Sequence, residues 1–202
     1  MSGDLRRTAF KADLVGGKVS LKAEGLVGPF ENSLDEQIDH ILIKGHALNL
    51  AEFVPSAPQT DLDFDATIVP SPQKGLALEG SIDLANSLAA PADQNGIPVR
   101  SILGEFTVGD SGILKVHDVT ATLLEEGALI LGGETDTDKN TFALEAILKN
   151  ASLSDFVSQK YDDVFEGSLL LNGTYREPQA KWDIRGNRAS STGELAIAND
   201  TA

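Results

Sequence analysis

The sequence predicts an all-β protein, because apolar residues recur at every second position and turn-forming residues separate these stretches. In residues 74–86 (KGLALEGSIDLAN), Leu76, Leu78, Ile82 and Leu84 fall in one register with Gly80 between them, while Glu79, Ser81 and Asp83 occupy the other. A period of two is that of a β-strand with one apolar face and one solvated face. Glycine, asparagine, aspartate and proline lie between such stretches, as expected for turns.

Similar alternation recurs along the whole chain. The other strand-like segments are GKVSLKAEG, DHILIKGHALNLAEF, TDLDFDATIV, GILKVHDVTATLL, EGALILGG, NTFALEAILK, GSLLLNGTY, AKWDIRG and GELAIA. The register changes near His117 and Asp118, which predicts a β-bulge. Helical periodicity is poor, and short helical turns are predicted only at 33–37, 98–103 and 153–159. We therefore predict few or no helices.

The bulk composition is that of a folded protein and excludes several classes of partner. With 202 residues, 41% hydrophobic and 23% charged, the chain is long enough for one sizeable domain. We predict a single continuous segment over 1–202. The net charge of −15 argues against nucleic-acid binding and against docking on an anionic membrane surface.

The chain has no cysteine, which excludes disulfides, thiol catalysis and cysteine-based zinc sites. No run approaches the roughly 20 apolar residues of a membrane span. The first residues carry a basic pair without a following apolar core, so they do not predict a signal peptide. Met1 is the only methionine, and the chain stops just after a strand pattern. We expect a piece of a longer protein.

Two short stretches resemble each other. LNLAEFV (48–54) and ASLSDFV (151–157) share the order leucine, small residue, acid, phenylalanine, valine. Each precedes a polar linker and a strand with glycine at or near its start. This indicates a degenerate internal repeat, with units near 45–150 and 150–202, as in elongated β architectures.

No group of residues predicts a reaction. Asp61, Asp63 and Asp65 resemble the opening of a calcium loop, but Ala66 and Pro72 occupy its diagnostic positions. Because these acids alternate with apolar residues, we predict that they form the solvated face of a strand. The second acidic stretch, GGETDTDKNT, predicts a hairpin turn in which Asn140 is left-handed.

The three histidines, His40, His46 and His117, lack helical metal-ligand spacing. There is no GxSxG nucleophile motif and no glycine-rich phosphate loop. We therefore predict no enzyme activity, no cofactor and no metal. Periodicity alone leaves two architectures open: a sandwich whose apolar faces seal a core, or a sheet whose apolar face stays open.

An ordered series of motifs resembles a known family. A strand of G-x-h-x-h-A-N form (80–86) leads into a proline and aspartate loop, then GIPV (96–99), a strand and a glycine-spaced strand pair. A short LSDF element (153–156) and GSLLLNGT (167–174) with Pro178 follow. Over most of 45–198 this series resembles the repeat region of the TamB family. AsmA-like relatives and the lipopolysaccharide bridge proteins share this general arrangement of motifs.

The resemblance implies an elongated sheet that folds lengthwise into an open apolar trough, a "β-taco". Such proteins are anchored in the inner membrane of Gram-negative bacteria by an N-terminal helix and cross the periplasm. Their C-terminal end engages TamA, an outer-membrane barrel protein. The family is implicated in phospholipid movement and in assembling outer-membrane proteins such as autotransporters. Here anchoring and docking would depend on segments outside this sequence.

On this interpretation the apolar register lines a groove for lipid acyl chains. The groove residues we predict are Leu62, Phe64, Ile68, Leu76, Leu78, Ile82, Leu84, Leu114, Val116, Phe142, Leu144, Leu169 and Leu171, followed by Leu129, Leu131, Trp182 and Ile184. A second hypothesis is a chaperone or scaffold whose strand edges receive barrel strands by β-augmentation. A third, a sugar-processing β-helix enzyme or adhesin, is disfavoured by the single Trp and two Tyr.

Overall fold

The protein forms one antiparallel sheet of twelve strands, in a computed structural model that describes residues 7–54 and 56–197. The strands are β1 (Thr8–Gly16), β2 (Val19–Val27), β3 (Ile38–Leu48), β4 (Leu62–Pro70), β5 (Leu76–Asn86), β6 (Val99–Gly109), β7 (Ile113–Leu123), β8 (Ala128–Asp136), β9 (Thr141–Ser152), β10 (Val164–Thr174), β11 (Pro178–Gly186) and β12 (Ser190–Ala196). Their order in the sheet is their order along the chain. The sheet is uncurled, with β1 and β12 at its edges. The predicted all-β class and elongated open sheet are confirmed.

Helical structure is limited to short turns between strands. These are α1 (Leu34–Gln37), α2 (Leu50–Phe53) and the 3-10 turns Ala92–Gln94 and Leu153–Asp155. The helical turns predicted at 33–37 and 153–159 are confirmed. The turn predicted at 98–103 is wrong, because these residues enter β6 and pair with β5. Pro98 precedes an extended strand rather than opening a helix, since the ladder with β5 satisfies the backbone groups that follow.

One strand lies where the sequence predicted none. β1 pairs with β2 along its whole length, across a turn in which Gly17 has a φ of 61°. Every residue of β1 is exposed. In its sequence, only Phe10, Ala12 and Leu14 alternate with polar residues, which is a short and weak strand pattern. The backbone pairing with β2 holds this segment in an extended strand, although its own sequence pattern is weak.

Two finer predictions about the backbone are confirmed. The ladder between β7 and β8 shifts register between Val116 and Val119, and Asp118 there has a φ of 45°. This is the bulge predicted near His117 and Asp118. The acidic stretch between β8 and β9 is a hairpin turn, and Asn140 has a φ of 54°.

The sheet has one apolar face and one polar face. Residues directly opposite in an antiparallel ladder share a face, so register pairs trace each face across the strands. One row runs from Phe64 through Leu84, Ile102 and Ala121 to Leu129. The residues that alternate with this row include Asp65, Asp83, Glu105 and Glu134. We call the two surfaces the apolar face and the polar face.

No second sheet packs on the apolar face within the described residues. Strands pack beside their neighbours in the sheet, and α1 lies against β3, β4 and β5. The sandwich architecture that periodicity left open is therefore excluded for this part of the chain. The buried apolar side chains lie near strand ends, and they are Val19, Leu48, Ala77, Leu78, Leu123 and Ala151.

Candidate functional site: the apolar face

The apolar face gathers nearly all of the predicted groove residues. Leu144 of β9 lies opposite Leu171 of β10, and Leu169 lies opposite Trp182 of β11. The alternation of side chains along each strand places all of the remaining predicted groove residues on this face, apart from Leu76. Most of these side chains are half-buried. In residues 7–54 and 56–197 no second sheet packs over them, and α1 is the helix that lies against β3, β4 and β5. The face is therefore a continuous apolar surface that crosses all twelve strands.

Leu76 lies on the polar face, which corrects the prediction. The ladder between β5 and β6 shifts register between Leu76 and Leu78. Leu78 pairs with Val108 on the apolar face, whereas Leu76 pairs with Gly109, the next residue of β6. The extra residue at Ala77 thus reverses the side to which the preceding side chain points. Local alternation cannot reveal this, because the bulge is defined only by the partner strand.

Aromatic rings cover glycines along the apolar face. A Cβ placed at Gly45 would meet the ring of Phe64, and one at Gly80 would meet Phe106. The other pairs of this kind are Phe10 with Gly25, Phe165 with Gly186, and Trp182 with Gly193. A ring that lies over the neighbouring glycine restores the apolar contact that glycine lacks. At these five glycines the ring occupies the space that a side chain on the neighbouring strand would fill.

Sequence reasoning missed several residues of this face. Phe106 and Ile102 lie in β6, whose start was predicted to be helical, and Phe10 lies in the unpredicted β1. Phe165 lies just beyond a register shift between β9 and β10. A usable signal exists in retrospect: each ring pairs with a glycine that replaces an apolar residue in the neighbouring strand's alternation.

The polar face carries cross-strand ion pairs. Lys44 Nζ lies 2.6 Å from Asp65 Oδ1, and Lys181 Nζ lies 2.9 Å from Glu194 Oε1. The hydrogen bond from Lys44 to Asp65 raises the pKa of that ammonium group. The backbone N–H of Ala47, followed by His46, lowers the pKa of Asp63. As predicted, Asp63 and Asp65 lie on the exposed face of a strand. Asp61, predicted with them, precedes β4 and is half-buried.

The five hollows described on the surface open on the polar face. The largest has a volume of about 730 Å³ and is lined by Glu79, Glu105, Lys115 and His117 among others. A charged lining would leave an acyl chain in contact with hydrated groups, so these hollows do not suit apolar ligands. The apolar face offers the opposite arrangement, a broad surface without charged side chains.

Two of the histidines lie apart from each other on the polar face. His46 contacts Asp63 at 2.6 Å and His117 contacts Thr107 at 2.8 Å, at separate places on the polar face. Across 7–54 and 56–197, no group of three His, Asp or Glu side chains is placed to hold a metal ion. In the same residues, no helix has both the length and the apolar character needed to cross a bilayer.

Comparisons with protein-family models, with curated proteins and with solved structures found no match to this chain.

Proposed function

We propose that this chain is a periplasmic segment of a TamB-like bridge between the inner and outer membranes of a Gram-negative bacterium. Its apolar face would shield lipid acyl chains and so support phospholipid transport and the assembly of outer-membrane proteins such as autotransporters. The full-length protein would be anchored in the inner membrane and would engage a TamA-like barrel protein. One observation carries the proposal: among residues 7–54 and 56–197 the apolar face continues through twelve strands of one sheet, and no second sheet packs on it.

The energetics favour such a surface as a route. Exposing an acyl chain costs about 0.8 kcal/mol per CH₂, so roughly sixteen carbons cost on the order of 13 kcal/mol. Twelve strands spaced about 4.8 Å apart give an apolar path of about 53 Å. At every point of that path, contact with the apolar face would lower the free energy of exposing the acyl chain to water.

The evenness of the face also suits transfer. Leucine, isoleucine, valine and the ring–glycine pairs form similar contacts from strand to strand. A lipid would meet no single deep pocket from which it could not leave. Movement along the sheet would then replace one set of contacts by an equivalent set.

The test uses Trp182, the only tryptophan, which lies on the apolar face of β11. We expect phospholipids with brominated acyl chains to quench its fluorescence, because bromine acts only at contact. Leu171→Asp should abolish the quenching by placing a charge on the apolar face. The matched control is Leu170→Asp, since Leu170 points from the polar face and is 42% exposed.

Equal quenching in both variants, or equal loss in both, would show that the apolar face is not the binding surface. Native mass spectrometry of the purified protein should find co-purified lipid in the wild type and in Leu170→Asp. In the full-length protein, Leu171→Asp should impair outer-membrane integrity and Leu170→Asp should not.

A second candidate is a scaffold for barrel assembly, and the exposed edge of β1 favours it. All nine residues of β1 are exposed, so its outer backbone groups are open to an added strand. A proline at Lys11 or Ala12 should then impair function more than Leu171→Asp does. A larger loss of function in Leu171→Asp than in the proline variants would favour the lipid route.

A further inference from the structure

We propose that a bound phospholipid lies across the apolar face with its headgroup over one particular rim and its acyl chains pointing to the other. This inference rests on the proposed function and adds an orientation to it. The two rims are the two sets of strand connections between β3 and β11. The long-connection rim comprises 49–61, 87–98, 124–127 and 153–163, and the short-turn rim comprises 71–75, 110–112, 137–140 and 175–177.

The connections of the long-connection rim are bonded to one another. The Ser87 N–H donates to the carbonyl oxygen of Asp61 at 3.0 Å, which joins the first two connections. The Ala92 N–H donates to the Phe156 carbonyl oxygen at 2.9 Å, across the strands that lie between them. The Glu125 N–H donates to the carboxylate of Asp155. Together these bonds form a continuous wall from β3 to β10.

This wall covers the end of the apolar face beneath it. Leu48 is 8% exposed, Leu123 is 3% exposed and Ala151 is fully buried, although all three end strands of an open sheet. At the other ends of the strands, Val108 and Leu114 are only half-buried. Leu78 is the exception on that side, because α1 lies against β5 there. The face is therefore closed at the long-connection rim and open at the short-turn rim over β6 to β11.

Between β3 and β11 the charges of the two rims also differ. Beyond this span, the connection 28–37 lies at the same strand ends as the short turns and carries Glu31, Asp35 and Glu36, while Lys18 and Arg188 lie at the opposite ends. Apart from Lys160, every charged residue of the long-connection rim is acidic. In the short-turn rim the cations match the carboxylates one for one: Lys74, Lys139 and Arg176 with Asp110, Asp138 and Glu177. A zwitterionic headgroup carries a phosphate and an ammonium group. Its phosphate is repelled by the acidic rim and can be accommodated at the mixed one.

The dimensions of the face are compatible with this orientation. Leu62 and Ile68 on β4 are separated by six residues, which at about 3.4 Å per residue gives about 20 Å along the strand. That length is comparable to an extended acyl chain of common size. A chain lying along the strands would reach the wall with its methyl end and leave its headgroup at the open rim.

The absence of cysteine from the chain allows a clean test with single-cysteine variants. Ser111→Cys lies in the short-turn rim and Glu126→Cys in the long-connection rim, at opposite ends of β7. The eleven residues of β7 separate these sites by about 37 Å. Each variant is labelled with a fluorophore and mixed with phosphatidylcholine that carries a nitroxide on its ammonium group.

We expect the headgroup nitroxide to quench the label at Ser111→Cys several-fold more than the label at Glu126→Cys. A nitroxide at the methyl end of the acyl chain should reverse this order. Equal quenching at both sites, or a headgroup nearer to Glu126→Cys, would overturn the orientation while Trp182 quenching upheld lipid binding. Failure of Trp182 quenching as well would overturn the proposed function together with this inference.

Discussion

Two regions of the molecule, residues 45–64 without residue 55 and residues 148–167, share several backbone features. We call them the first unit and the second unit. In each, a strand contains a residue of positive φ just before its end, 52° at Ala47 and 48° at Asn150. A buried apolar residue follows, Leu48 or Ala151, and then a short helical turn. In each, the ladder shifts register at this point and the next strand begins after a connection of similar length.

The two units satisfy their buried polar groups differently. In the first, the Thr60 hydroxyl accepts from the Leu50 N–H at 2.9 Å and donates to the Leu48 carbonyl oxygen at 3.1 Å. In the second, the buried Asp155 carboxylate accepts from the N–H groups of Ser152 and Glu125. The corresponding residue of the first unit, Glu52, is exposed. One backbone geometry is therefore compatible with two sets of polar partners.

The two units also differ in which of two paired strands supplies the large residue of an apolar pair. In the first unit, Gly45 lies opposite Phe64. In the second, Leu148 lies opposite Gly167, so the small and large residues change strands. At this position each unit pairs one small residue with one large residue, and the strand that supplies the large residue differs between the units.

The largest difference between the units should come from their acidic residues. Asp155→Ala should lower the free energy of unfolding by about 3 kcal/mol, because two backbone N–H groups lose a buried acceptor. Glu52→Ala, at the corresponding position, should change it by less than about 0.5 kcal/mol. Urea unfolding of the two variants measures the comparison. Similar losses in both would contradict the assigned role of Asp155.

A smaller difference should come from the glycines. A methyl group at Gly167 would fall on the carbonyl oxygen of Asp183, whereas one at Gly45 would meet the side chains of Phe64 and Leu48. Gly167→Ala should therefore cost about 2 kcal/mol and Gly45→Ala about 1 kcal/mol, since side chains move more easily than backbone. Thermal unfolding measures both, with Gly16→Ala as the control because its Cβ would meet nothing within 4 Å. A larger loss at Gly45 than at Gly167 would contradict this explanation.

The smallest effect concerns the bond that ties the second unit to the connection 87–98. The Ser158 hydroxyl and N–H donate to Asp93, and these bonds lower the pKa of that carboxyl below 3.8. Because the folded-state pKa is the lower one, the stabilisation is complete above the unfolded value and is lost as pH falls through the folded value. The difference in unfolding midpoint between wild type and Asp93→Asn should thus be present at about pH 7 and shrink as the pH falls below the ordinary pKa of the carboxyl. A difference that does not change with pH would argue against this contact.

Alternation was sufficient to predict most strands, the sparse helix and the shared face of Leu144, Leu169 and Leu171. It also indicated the bulge at Asp118, where the apolar register changes within one strand. It failed at 98–103, where the ladder to β5 determines the structure, and at Leu76, where the partner strand defines a bulge. Phe106 was missed because the start of its strand, β6, was predicted to be a helical turn.

The sequence by itself determined that the chain forms strands with one apolar and one polar side, since that information lies in residue spacing of two. It also determined where most turns fall and that no reactive group stands out. Only the tertiary structure decided that the apolar side stays uncovered, that rings lie over glycines of the next strand, and that one rim is walled while the other is open. These features depend on register and on bonds between connections far apart in the chain, which local spacing does not encode.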